Sequence, residues 1–198
     1  TVQRQLADLC GVKADVIYYP MKPITSDRAR KYPQFRAMLA GRTADPNKRC
    51  HSAVLSLVKA GYSESEVAIV GPEYPGWGAR MGTVSDSVLN DLFNSVDYVM
   101  MTSREEGIGL PAIESACAGA IPIVLPDLST YDEFWAASPM GPFYSTFTSI
   151  DKVSQFIIHM DSHADEKAAM KAAMLQYANL YLRPLFSKEA VAARIPEL

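Results

Sequence analysis

The sequence predicts an α/β fold, in which a parallel β-sheet is flanked by helices. Short apolar runs alternate with longer amphipathic segments along most of the chain, as strands and crossover helices do in a parallel sheet. Each apolar run is followed directly by Gly, Pro or Ser, the residues that end strands in turns. The 198 residues, 48% of them hydrophobic, are enough to bury a single core. These observations exclude a disordered chain.

The predicted strands are short runs of aliphatic and aromatic residues. They cover residues 16–19, 35–40, 67–70, 98–102 and 121–125. Residues 1–23 are expected to contain the first strand and a connecting segment, and residues 24–198 to form the domain itself. Residues 20–33 hold prolines and a cluster of basic residues, which predict a linker or an irregular arm.

The predicted helices lie between and after the strands. They cover residues 50–60, 85–95, 111–118, 151–181 and 188–194. In the second of them Leu89, Leu92 and Phe93 are spaced to bury one face. The fourth is rich in Ala, Met and Lys, which favour a helix. We expect a break in it near Ser162 and its end at Pro184, because proline does not continue a helix.

Composition and charge exclude several classes of function. Nineteen Lys and Arg against 22 Asp and Glu give a net charge of -3 without a basic block, so no nucleic-acid or anionic-membrane surface is expected. No apolar run reaches the roughly 18 residues that a membrane span needs. Cys10, Cys50 and Cys117 are widely separated and predict neither a disulfide framework nor a zinc site. A reducing, cytoplasmic location is therefore expected.

Two glycines lie between a predicted strand and a predicted helix. Gly107 and Gly109 follow the strand 98–102, and the next helix begins near Pro111. Glycine has no Cβ to keep a ligand from the backbone, and the N–H groups at the start of a helix attract negative charge. The segment therefore predicts an anion site that suits phosphate. The alternative is that Gly-x-Gly serves only a tight turn.

Two carboxylates flank these glycines. Glu106 precedes them, and Glu114 lies on the helix just beyond its first turn, so both can face the crevice at the carboxyl edge of the sheet. Carboxylates accept hydrogen bonds from hydroxyl groups, which sugars offer. The alternative is that Glu114 only complements the helix dipole and that Glu106 is a solvated loop residue.

A second loop supplies two cations. Arg42 and Lys48 follow the predicted strand 35–40. Arg offers a planar fork and Lys a point charge, and together they neutralise adjacent phosphoryl groups without a metal. One Arg and one Lys in a loop are by themselves more typical of a solvated surface. The interpretation therefore depends on their order relative to the glycine segment.

These segments, in this order, resemble the C-terminal nucleotide-sugar domain of retaining GT-B glycosyltransferases of the glycogen-synthase and bacterial mannosyltransferase type (glycosyl transferases group 1). Residues 106–114, Glu-Gly-Ile-Gly-Leu-Pro-Ala-Ile-Glu, are similar to that family's Glu-x7-Glu signature. Gly41-Arg42 with Lys48 resembles the family's phosphate loop, and residues 67–73 resemble the strand that borders its base pocket. Residues 82–89 resemble the loop that follows, and residues 186–192 resemble the closing helix. Ile108 replaces a usual aromatic residue, and one extra residue separates Arg42 from Lys48.

The resemblance implies a Rossmann-like sheet, one half of a GT-B fold, and a role for each motif residue. Glu106 would bind hydroxyl groups of the donor sugar, and Glu114 would bind the ribose. Arg42 and Lys48 would hold the diphosphate, and with Glu106 they form the expected catalytic set. No divalent metal is implied, because the two cations and the helix end would do its work.

The resemblance also implies backbone contacts and a base pocket. Gly107, Gly109 and Leu110 would offer backbone groups to the phosphates. The base would lie near a set of residues after two strands, which are Gly71, Pro72, Thr83 and Val84. The donor would be a substrate such as a UDP- or GDP-sugar, with no separate cofactor, and the base and the sugar stay open.

The expected function is retaining glycosyl transfer from a nucleotide sugar. The acceptor would be held by an N-terminal domain of the same chain or by a partner chain, so the isolated chain would be inactive or weakly hydrolytic. Nucleic acid is indicated only as an open choice of acceptor. One alternative is a non-catalytic nucleotide or nucleotide-sugar binding module. Another, a flavodoxin-like or dinucleotide-binding domain, is disfavoured because Ala112 stands where a third glycine would be.

Other polar residues carry weaker predictions. His51, His159 and His163 show no metal spacing and are expected on helix surfaces or at helix caps. Asp127 follows the last strand and could contact a sugar or an acceptor, although a solvated turn is an equal interpretation.

Overall fold

A computed structural model of the chain describes residues 21–22, 24–26, 28–128 and 130–193. Within these ranges, five parallel strands form one sheet in the order β3-β2-β1-β4-β5. The strands are β1 (Ala37–Ala40), β2 (Val67–Val70), β3 (Ala79–Gly82), β4 (Tyr98–Met101) and β5 (Ile121–Val124). This is the order of a Rossmann sheet, and the predicted α/β class is confirmed.

The central strands are apolar along their whole length because helices cover both faces of a parallel sheet. Every residue of the central strands β2 and β4 is buried, and so is every residue of β5, although β5 lies at one edge of the sheet that the described residues form. β3 lies at the edge of the sheet and is at most half-buried. The sequence analysis missed β3, because the run Ala-Arg-Met-Gly is neither continuously apolar nor cleanly alternating.

Helices follow the strands as expected for crossover connections. They are α1 (Cys50–Lys59), α2 (Asp86–Ser95), α3 (Leu110–Ala118), α4 (Gly141–Tyr144), α5 (Ile150–Ser162), α6 (Ala164–Tyr177), α7 (Arg183–Phe186) and α8 (Lys188–Ala192). Serine side chains cap the first turns of α2 and α5, where Ser85 accepts from the N–H of Val88 and Ser149 from that of Lys152.

Two expectations for the C-terminal helices have different outcomes. The break expected near Ser162 is confirmed, since His163 separates α5 from α6. The end expected at Pro184 is wrong. A wide π-helical turn, Ala178–Leu182, carries the chain from α6 into α7, and Pro184 occupies the first turn of α7, where its missing N–H costs nothing. The predicted strand 16–19, the connection 1–23 in its larger part and Arg194 lie outside the described residues.

The described part of the arm predicted at residues 20–33 is irregular but tied to the domain. Ile24 is buried in the core. Arg28 and Lys31 both reach the buried carboxylate of Asp91, at 2.7 and 2.8 Å. In the part of the chain described above, no helix has both the length and the apolar character needed to cross a bilayer.

Candidate functional site

Two loops meet where the strand order reverses. The loop between β1 and α1 and the loop between β4 and α3 both leave the carboxyl ends of neighbouring strands, and successive connections depart to opposite sides of this point. In open α/β sheets the crevice outside this position is where ligands bind. Sequence reasoning selected residues from these same two loops.

The centre of the site is a pairing between the loops. The ammonium group of Lys48 forms an ion pair with Oε1 of Glu106. The hydroxyl of Ser103 donates to the same oxygen at 2.7 Å. Both charged side chains are largely shielded from solvent, with 21% and 14% of their surfaces exposed. The structure thus brings together two of the predicted catalytic residues.

Asn47 fixes the spacing of the two loops. Its Nδ2 donates to the carbonyl of Glu105 at 2.7 Å, and its Oδ1 accepts from the N–H of Glu105 at 3.1 Å. Its own carbonyl accepts from the N–H of Arg104 at 2.9 Å. The side-chain amide thus pairs with both the N–H and the C=O of one residue, as a neighbouring strand does in a sheet, so the loop that carries Glu106 is held in register.

Arg49 is a residue of this edge that sequence reasoning missed. Its guanidinium donates to the carbonyls of Thr102 and Ser103 at 2.6 and 3.1 Å, and to both carboxylate oxygens of Asp127 at 2.7 and 2.8 Å. These bonds tie the loops after β1, β4 and β5 together. Its φ of 47° is left-handed, the one such value at a non-glycine among the described residues.

The contacts of Arg49 also decide the position of Asp127. Hydrogen bonds from the Arg49 guanidinium hold the pKa of the Asp127 carboxyl below its ordinary value. Asp127 lies exposed in a turn, as one of the two interpretations expected, and its carboxylate is paired with Arg49. The sequence signal for Arg49 is weak, because its neighbours Lys48 and Cys50 are the residues that fit a motif and a helix start.

Arg42 differs from Lys48 in its surroundings. Its side chain is 71% exposed and lies 3.2 Å from Oδ2 of Asp45. The two cations that the sequence placed on one loop thus take separate partners, and Arg42 lies on the open side of the crevice. The hydroxyl of Thr43, the next residue, is buried and has no hydrogen-bond partner among the described residues.

The N-terminus of α3 faces the crevice beside this pair. Gly109 is its N-cap, with a φ of 74° that favours glycine. A Cβ on Gly107 would meet no atom within 4 Å, so the backbone there is open to a ligand. Pro111 has no N–H, and the N–H of Ala112 donates to the carbonyl of Gly109 at 3.0 Å, so the N–H of Leu110 is the group of this first turn that has no acceptor inside the helix.

Thr130 completes this helix end. Its hydroxyl would lie 3.9 Å from a Cβ placed on Gly109. The residue is 3% exposed, and the hydroxyl has no hydrogen-bond partner in the part of the chain that the structure describes. A buried hydroxyl without a partner is costly, and its position beside a helix N-terminus is where a polar ligand would supply one.

Glu114 lies on the side of α3 that faces the start of α2. Burial raises the pKa of its carboxyl, the nearby Asp86 carboxylate raises it further, and Lys22 opposes both effects. Glu114 forms no hydrogen bond or ion pair with any described residue. It is a half-buried acceptor with free capacity, about one helical turn from the glycine segment.

The residues proposed for the base pocket lie at the ends of β2 and β3. A Cβ on Gly71 would be 2.0 Å from the carbonyl oxygen of Gly41, so only glycine allows the two loops to approach. The N–H of Gly71 donates to the carbonyl of Gly82 at 2.9 Å. Pro72 and Thr83 are exposed here and Val84 is half-buried. The structure thus places this group one strand away from the Lys48–Glu106 pair.

The structural comparisons agree on the architecture. No protein-family model matches the chain. The C-terminal domain of the glycosyl transferase group 1 protein LpcC of Francisella tularensis superposes with a TM-score of 0.61 and 12% identity, over 84% of this chain and 96% of that one. The fold is that of one half of a GT-B glycosyltransferase.

Longer proteins contain the same GT-B half. The pneumococcal O-GlcNAc transferase GtfA, solved with UDP and GlcNAc, has a TM-score of 0.67 and 17% identity over 97% of this chain and 41% of its own. HepE of Anabaena, solved with UDP and glucose, has a TM-score of 0.64 and 14% identity over 82% of this chain and 47% of its own. This chain thus spans less than half the length of either protein.

One curated sequence also matches part of the chain. It is the RNA polymerase II subunit RPB2 of Schizosaccharomyces pombe, 28% identical over 101 residues, which are 51% of this chain and 7% of that protein. A local similarity of this extent identifies no shared domain, and the GT-B half accounts for most of the chain.

Proposed function

We propose that this chain is the nucleotide-sugar-binding domain of a retaining glycosyltransferase. The observation that carries the proposal is the unpartnered hydroxyl of Thr130, buried at the N-terminus of α3 beside Gly109. Buried polar groups are usually paired in folded proteins, and this hydroxyl, which solvent does not reach, would gain a partner if ligand binding rearranged the loop that carries it. A phosphate or a sugar hydroxyl supplies the missing partner.

The charges of the site suit a leaving nucleoside diphosphate. Lys48 and the N-terminus of α3 lie on the two sides of the crevice, and the exposed guanidinium of Arg42 lies at its rim. Positive groups fixed at the place where negative charge develops lower the barrier to departure of the diphosphate. In this proposal the three do the work of a divalent metal, and transfer needs none.

Carboxylates provide the remaining contacts. Glu106, held by Lys48 and Ser103, would accept hydrogen bonds from hydroxyl groups of the donor sugar. Glu114, half-buried and without a hydrogen bond, would bind the two ribose hydroxyls. The base would lie along Gly71, Pro72, Thr83 and Val84. UDP is the nucleotide named with two of the similar structures, and a UDP-sugar is accordingly our first choice of donor.

The acceptor belongs to the part of the proposal outside this chain. We infer that a second domain or a partner chain binds it and closes the crevice, and that the complete enzyme acts in the cytoplasm. Alone, the chain should hydrolyse the donor slowly at most, since orienting an acceptor supplies several kcal/mol of the barrier reduction, up to roughly 7 to 11. Robust multiple-turnover transfer by the chain alone would contradict this inference.

Calorimetry with UDP, GDP and ADP, each compared with its nucleoside, tests the site. Arg42→Gln and Lys48→Gln should weaken diphosphate binding about tenfold and leave nucleoside binding unchanged, because charged hydrogen bonds are worth about 1.5 to 3 kcal/mol. Glu114→Gln should weaken both ligands alike. Addition of a chelator should change neither. Arg104→Gln, which removes an exposed cation on the neighbouring loop between β4 and α3, is the control.

Gly107→Ala separates ligand approach from folding. The new methyl group meets no atom of the chain within 4 Å, so the melting temperature should stay within about 1 °C of wild type. A donor lying against this backbone would be displaced, and its affinity should fall at least about tenfold. Unchanged affinity for every nucleotide and nucleotide sugar would place the ligand elsewhere.

A further inference from the structure

We propose that His159, His163 and Glu166 form a binding site for a transition-metal cation of the Zn²⁺ type. The three side chains lie at the junction of α5 and α6, near the amino edge of the sheet and away from the crevice described above. One ligand atom from each residue lies within 4.8 Å of the other two. The proposal does not depend on the proposed nucleotide-sugar function.

The ring of His163 is oriented for metal binding. Its Nδ1 lies 2.8 Å from the carbonyl oxygen of His159, and this bond requires the proton on Nδ1. In the neutral ring, Nε2 of His163 is then the nitrogen that can accept a bond or bind a metal. Histidine ligands in metal sites commonly donate their second nitrogen to a backbone carbonyl in this way, which fixes the tautomer before the metal arrives.

His159 and Glu166 supply the other two ligands. Nε2 of His159 lies 2.9 Å from Oε2 of Glu166. The rings of His159 and His163 are stacked with centroids 4.2 Å apart, as positions four residues apart on a helix allow. Each of the three residues, taken alone, can carry a charge that the dipole at its own helix end favours. The dipoles do not require the three side chains to lie close together. Their convergence is the feature that points to a cation.

The backbone that carries these three residues is held in place by the contacts of Asp161. Asp161, between the two histidines, accepts from Tyr62 at 2.9 Å and from Lys167 at 2.9 Å. Lys167 directly follows Glu166, so one ion pair anchors both sides of the helix junction. Binding therefore needs only small side-chain rotations, because the backbone on both sides of the junction is already positioned.

The donor set selects the type of cation. Two imidazoles and one carboxylate suit Zn²⁺, Ni²⁺ or Cu²⁺, whereas Mg²⁺ and Ca²⁺ prefer oxygen ligands alone. The cation takes the place of the proton between His159 and Glu166, and that proton passes to solvent. All three side chains are exposed, so water can complete the coordination. The sequence analysis predicted no metal site at these histidines because it did not consider Glu166. The turn at His163 brings Glu166 close to both of them.

The bound metal should act as a clamp between α5 and α6. A ligand that binds only the folded chain raises its stability by mass action, so Zn²⁺ should raise the melting temperature of this chain. Mg²⁺ at the same concentration should have no such effect.

Titration calorimetry of the full chain with ZnCl₂ tests the site. His159→Ala and His163→Ala should each weaken Zn²⁺ binding at least about tenfold, and the double variant should lose this binding event and the Zn²⁺-induced rise in melting temperature. His51→Ala, which removes the exposed histidine of α1, is the matched control and should bind as wild type does. Circular dichroism verifies that each variant is folded.

Cobalt substitution gives a second, independent measurement. The visible spectrum of the Co²⁺-loaded chain should show coordination by nitrogen and oxygen, without the thiolate band that a cysteine ligand would add. Equal Zn²⁺ affinity in wild type and the His159→Ala/His163→Ala variant would overturn the proposal. So would the absence of Zn²⁺ binding by the wild-type chain, or a thiolate spectrum.

Discussion

The two edges of the sheet carry polar groups of opposite character. At the amino edge, buried and half-buried charges from strands and helices pair with one another. At the carboxyl edge, the hydroxyls of Thr43 and Thr130 are buried without partners, Arg42 is exposed and Arg49 has a left-handed backbone. The carboxyl edge thus contains two buried hydroxyls without a partner among the described residues beside its ion pairs, whereas the carboxylates of the amino edge named below are each paired with cations.

The amino edge is a network of ion pairs. Asp97 precedes β4 and lies 2.8 Å from Lys171 and 3.1 Å from Lys167. Burial by itself would raise the pKa of Asp97, but the two lysines bring it below its ordinary value. Asp161 joins the network through Arg36 and Lys167. Each of these two carboxylates is thus in contact with at least two cations.

The polar groups of the two edges contribute differently to the stability of the domain. Pairing at the amino edge stabilises the fold, whereas incomplete pairing at the carboxyl edge costs stability and leaves binding capacity. A functional site that violates the rules of hydrogen bonding is expected where the rest of the molecule satisfies them. Substitutions at matched positions of the two edges test this division.

The largest effect is expected for Asp161→Ala at the amino edge. Its half-buried carboxylate accepts hydrogen bonds from both Arg36 and Lys167, and because hydrogen bonds to charged groups are the stronger ones, their loss should cost about 3 kcal/mol. Urea unfolding followed by circular dichroism measures the loss. Asp151→Ala removes the exposed partner of Lys59 and should cost less than about 1 kcal/mol. Equal losses of unfolding free energy in the two variants would show that the ion pairs of Asp161 at the amino edge contribute no more to stability than an exposed one.

Gly71→Ala should have the next largest effect, at the carboxyl edge. The added Cβ would lie 2.0 Å from the carbonyl oxygen of Gly41, so the loops must separate at a cost of about 2 to 3 kcal/mol. Gly76→Ala, also at positive φ but with nothing within 4 Å, should cost only about 1 kcal/mol. The free energy of unfolding from urea titration distinguishes them. Similar values would mean that the close approach of the two loops contributes nothing.

The smallest effects have opposite signs. Tyr98→Phe removes a hydroxyl that donates to Asp161 at 3.1 Å and should lower the free energy of unfolding by about 1.5 kcal/mol. Thr130→Val removes a buried hydroxyl without a partner and should raise it by about 1 kcal/mol. The same Thr130→Val change should weaken donor binding on the order of fivefold, by calorimetry. A destabilised Thr130→Val protein would show that its hydroxyl is already satisfied in the free chain.

The sequence was informative wherever a local pattern decides the structure. The strands β1, β2, β4 and β5 lie within the runs predicted for them, because buried parallel strands are continuously apolar. β3 was missed because an edge strand needs an apolar face on one side only. The helical continuation through Pro184 was also missed, because a π-helical turn has no local sequence signature that we used.

The site shows the same limit at the level of single side chains. The Lys48–Glu106 pair joins two motifs that the sequence displays, so their meeting at one crevice was predictable from strand adjacency. Arg49 and Thr130 act through partners from other loops, and no spacing within the chain announces them. The distinguishing feature of Thr130 is a buried hydroxyl without a hydrogen-bond partner among the described residues, and a sequence does not show this.

The order of the strands in the sheet determines when the two loops of the site meet during folding. Ala37 of β1 pairs with Tyr98 of β4, although two other strands and two helices lie between them along the chain. Closing so long a loop is slow, because its entropy is lost before any contact repays it. Until those strands join, Lys48 and Glu106 belong to unconnected stretches of polypeptide. If the proposed function holds, nucleotide binding can therefore develop during folding only after β1 and β4 have paired in the centre of the sheet.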